Sequence, residues 1–226
     1  MRITLTTAAA LLILTSPLGA GEYNAVRDIG DTAPAWTRLP GTDGKTHSLS
    51  DLKDKHVVVV VFTCNSCPYA VDYEDRLIAF HKKFASKNVA VVAINVNKVP
   101  EDALPAMKKK ARQKKFPFVY LFDASQKIAK DYGAFFTPEF FVLNKQRKIT
   151  YMGSMDNNPD VKKVSMRYLN DAVEAYEKDL IEDALKAQSA LAWFKSWFGF
   201  AGSEARFSLE EQEQRAQDIV ISQLLE

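Results

Sequence analysis

The segment Val57–Phe80, VVVVVFTCNSCPYAVDYEDRLIAF, changes its hydrophobic period halfway along. The continuous β-branched run from His56 to Thr63 predicts a strand buried on both faces, as in the centre of a parallel sheet. After Pro68 the apolar residues Tyr69, Tyr73, Leu77, Phe80 and Phe84 recur at helical spacing. Asp72, Glu74, Asp75 and Arg76 fill the other side, which is expected to be solvated. Proline has no N–H and fits only the first turn of a helix, so the helix is predicted to begin near Cys67. The chain's two cysteines, Cys64 and Cys67, therefore fall where a strand hands over to a helix.

That position has chemical consequences. The unpaired N–H groups of a helix start favour negative charge, and the thiolate is both an anion and the reactive form of cysteine. Two intervening residues allow a small disulfide ring that closes and reopens. A mixed disulfide on the outer thiol can then be resolved by the inner one.

Outward from this segment, Gly30–Lys55 is rich in turn formers. Gly41, Asp43 and Gly44 mark a turn between short extended pieces, with Trp36 and Leu39 directed inward. Asn88–Val96 predicts a second buried strand. The stretch from Pro100 to Lys115 predicts a helix whose early acids, Glu101 and Asp102, and late cations match its dipole. Lys108, Lys109, Lys110, Arg112, Lys114 and Lys115 are expected to form its solvated face. Phe116–Phe122 predicts a strand, and Ala124–Ala134 a short helix ending near Gly133. Thr137–Asn144 and Arg147–Ser154 predict an antiparallel pair joined around Lys145 and Gln146. This order implies an α/β fold: a central mixed sheet flanked by helices, parallel at first with right-handed crossovers and closing with an antiparallel hairpin.

Composition fits an ordinary globular protein. The 226 residues are 47% hydrophobic and 26% charged, and the net charge of +2 singles out no nucleic-acid partner. Residues 1–20 have one cation, Arg2, then an apolar stretch, then Pro17 and small residues. This is the layout of a secretory signal with cleavage after Ala20, which implies export to a periplasmic or other extracytoplasmic compartment. Disulfides persist there, but one cysteine pair is no stapled scaffold, so its thiols are expected to do another job. Residues 21–157 are assigned to the α/β domain and residues 158–226 to a helical C-terminal extension. Val164, Tyr168, Ala172, Val173, Tyr176, Leu180, Ala184 and Leu185 supply the extension's apolar stripe. The aromatic cluster Trp193–Phe200 is expected to fold back on the sheet or long helix, with membrane contact the less favoured reading. Ser208 and Glu211 have capping-box spacing, so residues 208–225 are predicted to be helical.

The pieces GDTAPAW, GKTHSLSDLKDK, the cysteine segment, YLFDASQKIAKDYGAFFTPEFFVLN and YMGSMDN together resemble the thioredoxin superfamily. The similarity is to its redoxin branch, which includes AhpC/TSA and TlpA-like proteins. The specific signal is a CxxC after one strand combined with Thr137-Pro138 before a late strand. The resemblance implies a thioredoxin fold and an exported thiol–disulfide oxidoreductase. It implies that Cys64 attacks the substrate disulfide, that Cys67 resolves the adduct, and that a cis Pro138 beside the pair shapes the partner groove with Thr137. Substrates would be protein dithiols or disulfides. Electrons would pass to or from another thiol protein, with no bound cofactor. Thr63 stands where thioredoxin has Trp, and the Val/Phe strand offers no acid for the proton relay of that family.

The sequence leaves three other readings open. A thiol peroxidase of this fold would use Cys67 as the peroxidatic cysteine, though Cys64 stands where peroxiredoxins have Thr and Pro138 near where they have Arg. A Cu(I) or Zn carrier would need a third ligand, but His47, His56 and His81 lack ligand spacing. A non-catalytic binding module would carry the pair as an inert disulfide, but so small a loop would stabilise little.

Overall fold

The computed structural model describes residues 24–197. The predicted signal at 1–20, the helix at 208–225, and Phe198, Gly199 and Phe200 of the aromatic cluster lie outside the described residues.

Strand β3, Val57–Phe62, is the centre of the molecule. It pairs in parallel with β4, Val89–Asn95, which pairs in parallel with β5, Val119–Phe122. On its other side it pairs antiparallel with β6, Glu139–Leu143, which carries the antiparallel β7, Ile149–Gly153. The order is β5-β4-β3-β6-β7. A separate two-stranded ribbon, β1 (Leu39–Pro40) and β2 (Thr46–His47), flanks the Gly41–Gly44 turn. The expected mixed sheet is thus present. The strand predicted from Phe116 is shorter and starts at Val119.

The valine run is buried because both faces of β3 are covered. Val57, Val59 and Val61 pack with Leu77, Phe80 and Phe84 of α1 (Pro68–Phe84), Met107 of α2 (Leu104–Lys114), and Leu169 and Val173 of α4 (Tyr168–Trp197). Val58, Val60 and Phe62 pack with Trp36, Leu49, Ile128 and Tyr132. The last two belong to α3 (Lys127–Tyr132). None of the five valines is more than 1% exposed. Helix α3 ends on Gly133 at φ +69, where a Cβ would stand 2.1 Å from the Asn24 side-chain oxygen. A left-handed C-cap without a side chain is required there.

Several expectations are corrected. Tyr69 is 63% exposed. Tyr69 therefore leaves the predicted apolar stripe, although Ala70 beside it is buried. Glu74 is buried and not part of a solvated face, because Lys110 and Lys114 of α2 neutralise it, with Lys110 Nζ 2.5 Å from Oε1. Lys110 therefore leaves the solvated cationic face predicted for α2. Arg76 is also largely enclosed, paired at 2.6 Å with the buried Asp156. Glu101 and Asp102 lie in a separate 3-10 turn, Pro100–Asp102, and α2 starts only at Leu104. The long helix starts at Tyr168, so Val164 precedes it, while Leu169, absent from the predicted stripe, is fully buried.

Candidate functional site

Cys67 is the N-cap of α1 and Pro68 occupies its first turn, as the proline's missing N–H requires. Cys64 lies in the turn leaving β3. Both are free thiols. The Cys67 N–H donates to Cys64 Sγ at 3.4 Å.

The loop before β6 closes the site from the far end of the sequence. The Thr137–Pro138 peptide is cis. The Thr137 carbonyl accepts from Cys67 Sγ at 3.4 Å, and Thr137 Oγ1 lies 3.6 Å from Cys64 Sγ. Pro138 lines a cavity together with Cys64, Glu74, Phe116, Phe118 and Tyr120. The four predicted residues Cys64, Cys67, Thr137 and Pro138 therefore meet in one place, although the pairs are separated by some seventy residues of chain. The Cys67 thiol is held below its ordinary pKa. Burial acts upward, but a side-chain hydrogen bond with Thr137, the amides of Ala70 and Tyr69, and Cys64 outweigh it.

Residues that sequence reasoning missed surround this core. Asp102 is fully buried. Its carboxylate accepts from the N–H groups of Asn65 at 2.5 Å and Ser66 at 3.2 Å, and from Ser66 Oγ at 2.5 Å. Asn95 and Asn97 donate to it from the end of β4. Burial acts upward on its pKa, but the hydrogen bonds of Ser66, Asn97 and Asn65 outweigh it and hold the carboxyl below the usual range. Lys110 Nζ donates to the Asn65 carbonyl at 3.1 Å, and the Tyr120 hydroxyl donates to the Asn65 side chain at 3.1 Å. The turn between the cysteines is thus held at both backbone groups of Asn65 and at the Ser66 N–H. A signal was available in the polar residues Asn95 and Asn97, which interrupt an apolar strand at its C-terminal edge, where α/β sheets build sites.

A second buried carboxylate fixes the partner loop. Glu139 accepts from the N–H groups of Phe135 at 2.8 Å and Phe136 at 3.1 Å. These two phenylalanines are 73% and 71% exposed, just before Thr137. No metal-binding cluster of three or more His, Cys, Asp or Glu residues occurs among the described residues.

The sequence profile of the AhpC/TSA family matches residues 29–152. A hypothetical protein of Sinorhizobium meliloti is 34% identical, with a TM-score of 0.64 over 68% of this chain and 86% of its own. An uncharacterized conserved protein of Geobacillus kaustophilus is 31% identical, with a TM-score of 0.64 over 67% of this chain and 83% of its own. A Chlorobium tepidum protein, provisionally named a thiol:disulfide interchange protein DsbE, is 26% identical, with a TM-score of 0.55 over 66% of this chain and 98% of its own. No curated protein matches the chain significantly.

Proposed function

The chain belongs to the AhpC/TSA family, a group of thioredoxin-superfamily redoxins, and from that premise we propose that it is a thiol–disulfide oxidoreductase acting on protein substrates. The observation that carries this reading is the convergence of two free thiols with the cis Thr137–Pro138 peptide. In the reaction, the dithiol Cys64/Cys67 and a partner disulfide exchange two electrons and two protons, leaving a Cys64–Cys67 disulfide and a partner dithiol, or the reverse. Thr137 and Pro138 shape the surface on which the partner lies. A second thiol protein resets the pair, and Asn65 and Ser66 contribute to its potential. The layout of residues 1–20 supports action outside the cytoplasm, where such partners accumulate. Among the described residues no helix is long and apolar enough to cross a membrane.

One observation favours a second reading, a thiol peroxidase: Cys67 sits at the start of α1 with a lowered pKa. The two readings separate in one experiment. Reduced protein is mixed with insulin and, in parallel, with hydrogen peroxide. Exchange chemistry predicts cleavage of insulin disulfides with a Cys64–Cys67 disulfide seen by mass spectrometry, and no activity in the double variant Cys64→Ser/Cys67→Ser. Peroxidase chemistry predicts instead that the Cys64→Ser variant consumes one equivalent of peroxide and carries a sulfenic acid on Cys67.

A further inference from the structure

Asp102 is a fully buried carboxylate whose hydrogen-bond donors are all neutral. They are the N–H groups of Asn65 and Ser66, Ser66 Oγ, and the side-chain amides of Asn95 and Asn97. These bonds keep it ionised. Burying a charge without a counterion is costly, and where such a charge sits beside a reactive group it is a candidate for function. This one sits one peptide bond from Cys64, because Oδ1 accepts from the N–H of the very next residue at 2.5 Å. It also takes the Ser66 N–H, at 3.2 Å. The polar contacts of Cys64 Sγ are instead the Cys67 N–H at 3.4 Å and Thr137 Oγ1 at 3.6 Å.

The other ionisable groups around Cys64 do not offset this charge. Tyr73 and Glu74 of α1 and Tyr120 of β5 line the cavity beside it. Burial pushes both tyrosines above their ordinary range, so they are neutral. Glu74 is paired with Lys110 and Lys114 of α2, and Lys114 is shared with the exposed Asp75. Lys110 also reaches the turn, through the Asn65 carbonyl at 3.1 Å, but its charge is already met by Glu74 at 2.5 Å. Cys67 is the remaining titratable neighbour, with its N–H on Cys64 Sγ.

We propose that Asp102 is a positioning residue of the thiol pair, that its buried negative charge opposes an anion on Cys64, and that this sets the pair to give electrons to partner disulfides. The proposal rests on the exchange reading and adds its direction. A disulfide carries no charge, whereas the reduced pair reacts as a thiolate. A neighbouring carboxylate weakens the thiolate and leaves the disulfide untouched, which makes the reduced pair the better donor. Couples whose reduced form is stabilised are oxidants, and this site does the opposite. In the forward reaction Cys64 loses its proton to solvent and attacks one partner sulfur. The Cys64–partner bond forms, the partner S–S bond breaks, and the departing thiolate takes up a proton. Cys67 then gives up its proton and attacks Cys64 Sγ. The Cys64–Cys67 bond forms, and the second partner sulfur leaves and is protonated. Two electrons and two protons pass to the partner, and an upstream dithiol protein returns them to the chain.

The test compares the full chain with its Asp102→Asn and Lys110→Met variants. The Cys64–Cys67 pair is titrated in glutathione buffers and its redox state read by mass spectrometry. Asp102→Asn should raise the equilibrium constant for reduction of the pair by glutathione about threefold or more. Lys110→Met, which removes the cation that reaches the turn, should lower it. In a Cys67→Ser background, the pH midpoint of Cys64 alkylation by iodoacetamide should fall by about half a unit or more with Asp102→Asn and rise with Lys110→Met. A turn that is merely loosened would move both variants the same way. That result, or no shift with Asp102→Asn, overturns the proposal and leaves the exchange reading intact. If Asp102→Asn does not fold, Lys110→Met decides alone, and a constant that is unchanged or raised overturns the proposal. If the wild-type pair forms no disulfide in any glutathione buffer, the exchange reading itself fails.

Discussion

The carboxylate of Asp102 joins two parts of the chain that have little else in common, the end of β4 and the turn between the cysteines. Its depressed pKa gives a pH signature with a definite sign. The hydrogen bonds to the ionised form contribute stability that is present above the ordinary carboxylate value of about 4 and lost as pH falls through the lower folded value. Asp102→Asn replaces an acceptor by a group that also donates, opposite Ser66 and Asn97, and leaves buried donors unpaired. The expected cost at neutral pH is about 2 kcal/mol, measured as a shift in urea midpoint. The gap to wild type should narrow progressively below about pH 4, since protonation removes the same bonds from the native protein. A gap independent of pH would show that the charge plays no part in holding the turn.

Helix α1 connects chemistry at its N-terminus to packing along its length. Its first turn carries the thiol and exposes Tyr69, and its later turns bury Leu77, Phe80 and Phe84. Between them Arg76 ties the helix to the segment after β7. The guanidinium donates to Asp156 at 2.6 Å, to the Asn158 carbonyl at 2.9 Å and to the Pro159 carbonyl, and it stacks on the Tyr73 ring at 3.8 Å. Asp156 also accepts from the Tyr73 hydroxyl. Arg76→Met keeps much of the apolar stem but strips the buried carboxylate of its cation. Removing one partner of a buried pair leaves a charge uncompensated, so the expected loss is about 3 kcal/mol in a chemical denaturation curve. A loss no greater than that of an ordinary surface substitution would mean that water reaches Asp156.

The sandwich owes its stability to the two-sided cover of β3, and α4 is part of that cover at its start. Leu169 and Val173 are fully buried in the same cluster as Val59 and Val61. Further along, the described residues of α4 are half-buried or exposed, and Lys83–Glu174 and Lys87–Glu177 are its ion pairs to α1 and the turn that follows it. Exposed pairs of this kind add little. The helix is therefore held by its first turns. Leu169→Ala should cost about 3 kcal/mol and lower the melting temperature, because it removes buried methyl groups and leaves a cavity beneath the sheet. Lys83→Ala should change stability by less than about 1 kcal/mol. Comparable effects of the two substitutions would contradict this division.

The hydrophobic pattern by itself determined the sheet. A run of β-branched residues can only be satisfied where both faces are covered, so Val57–Phe62 had to lie at the centre, and a proline after Cys67 had to open a helix. The same local rules fixed the turn at Gly41–Gly44 and the end of α3 at Gly133. Polar residues were another matter. Glu74 and Arg76 read as solvated because helical spacing places them off the apolar stripe, but the partners that bury them, Lys110 and Asp156, come from distant segments. Asp102 read as a dipole-matching acid for the same reason: its real partners are the amides of a turn far away in sequence. Only the tertiary structure decided which cysteine is buried. The burial of Cys64 is set by Phe116, Phe118, Tyr120 and Pro138, contributed by other elements, and local sequence carries no record of long-range contacts.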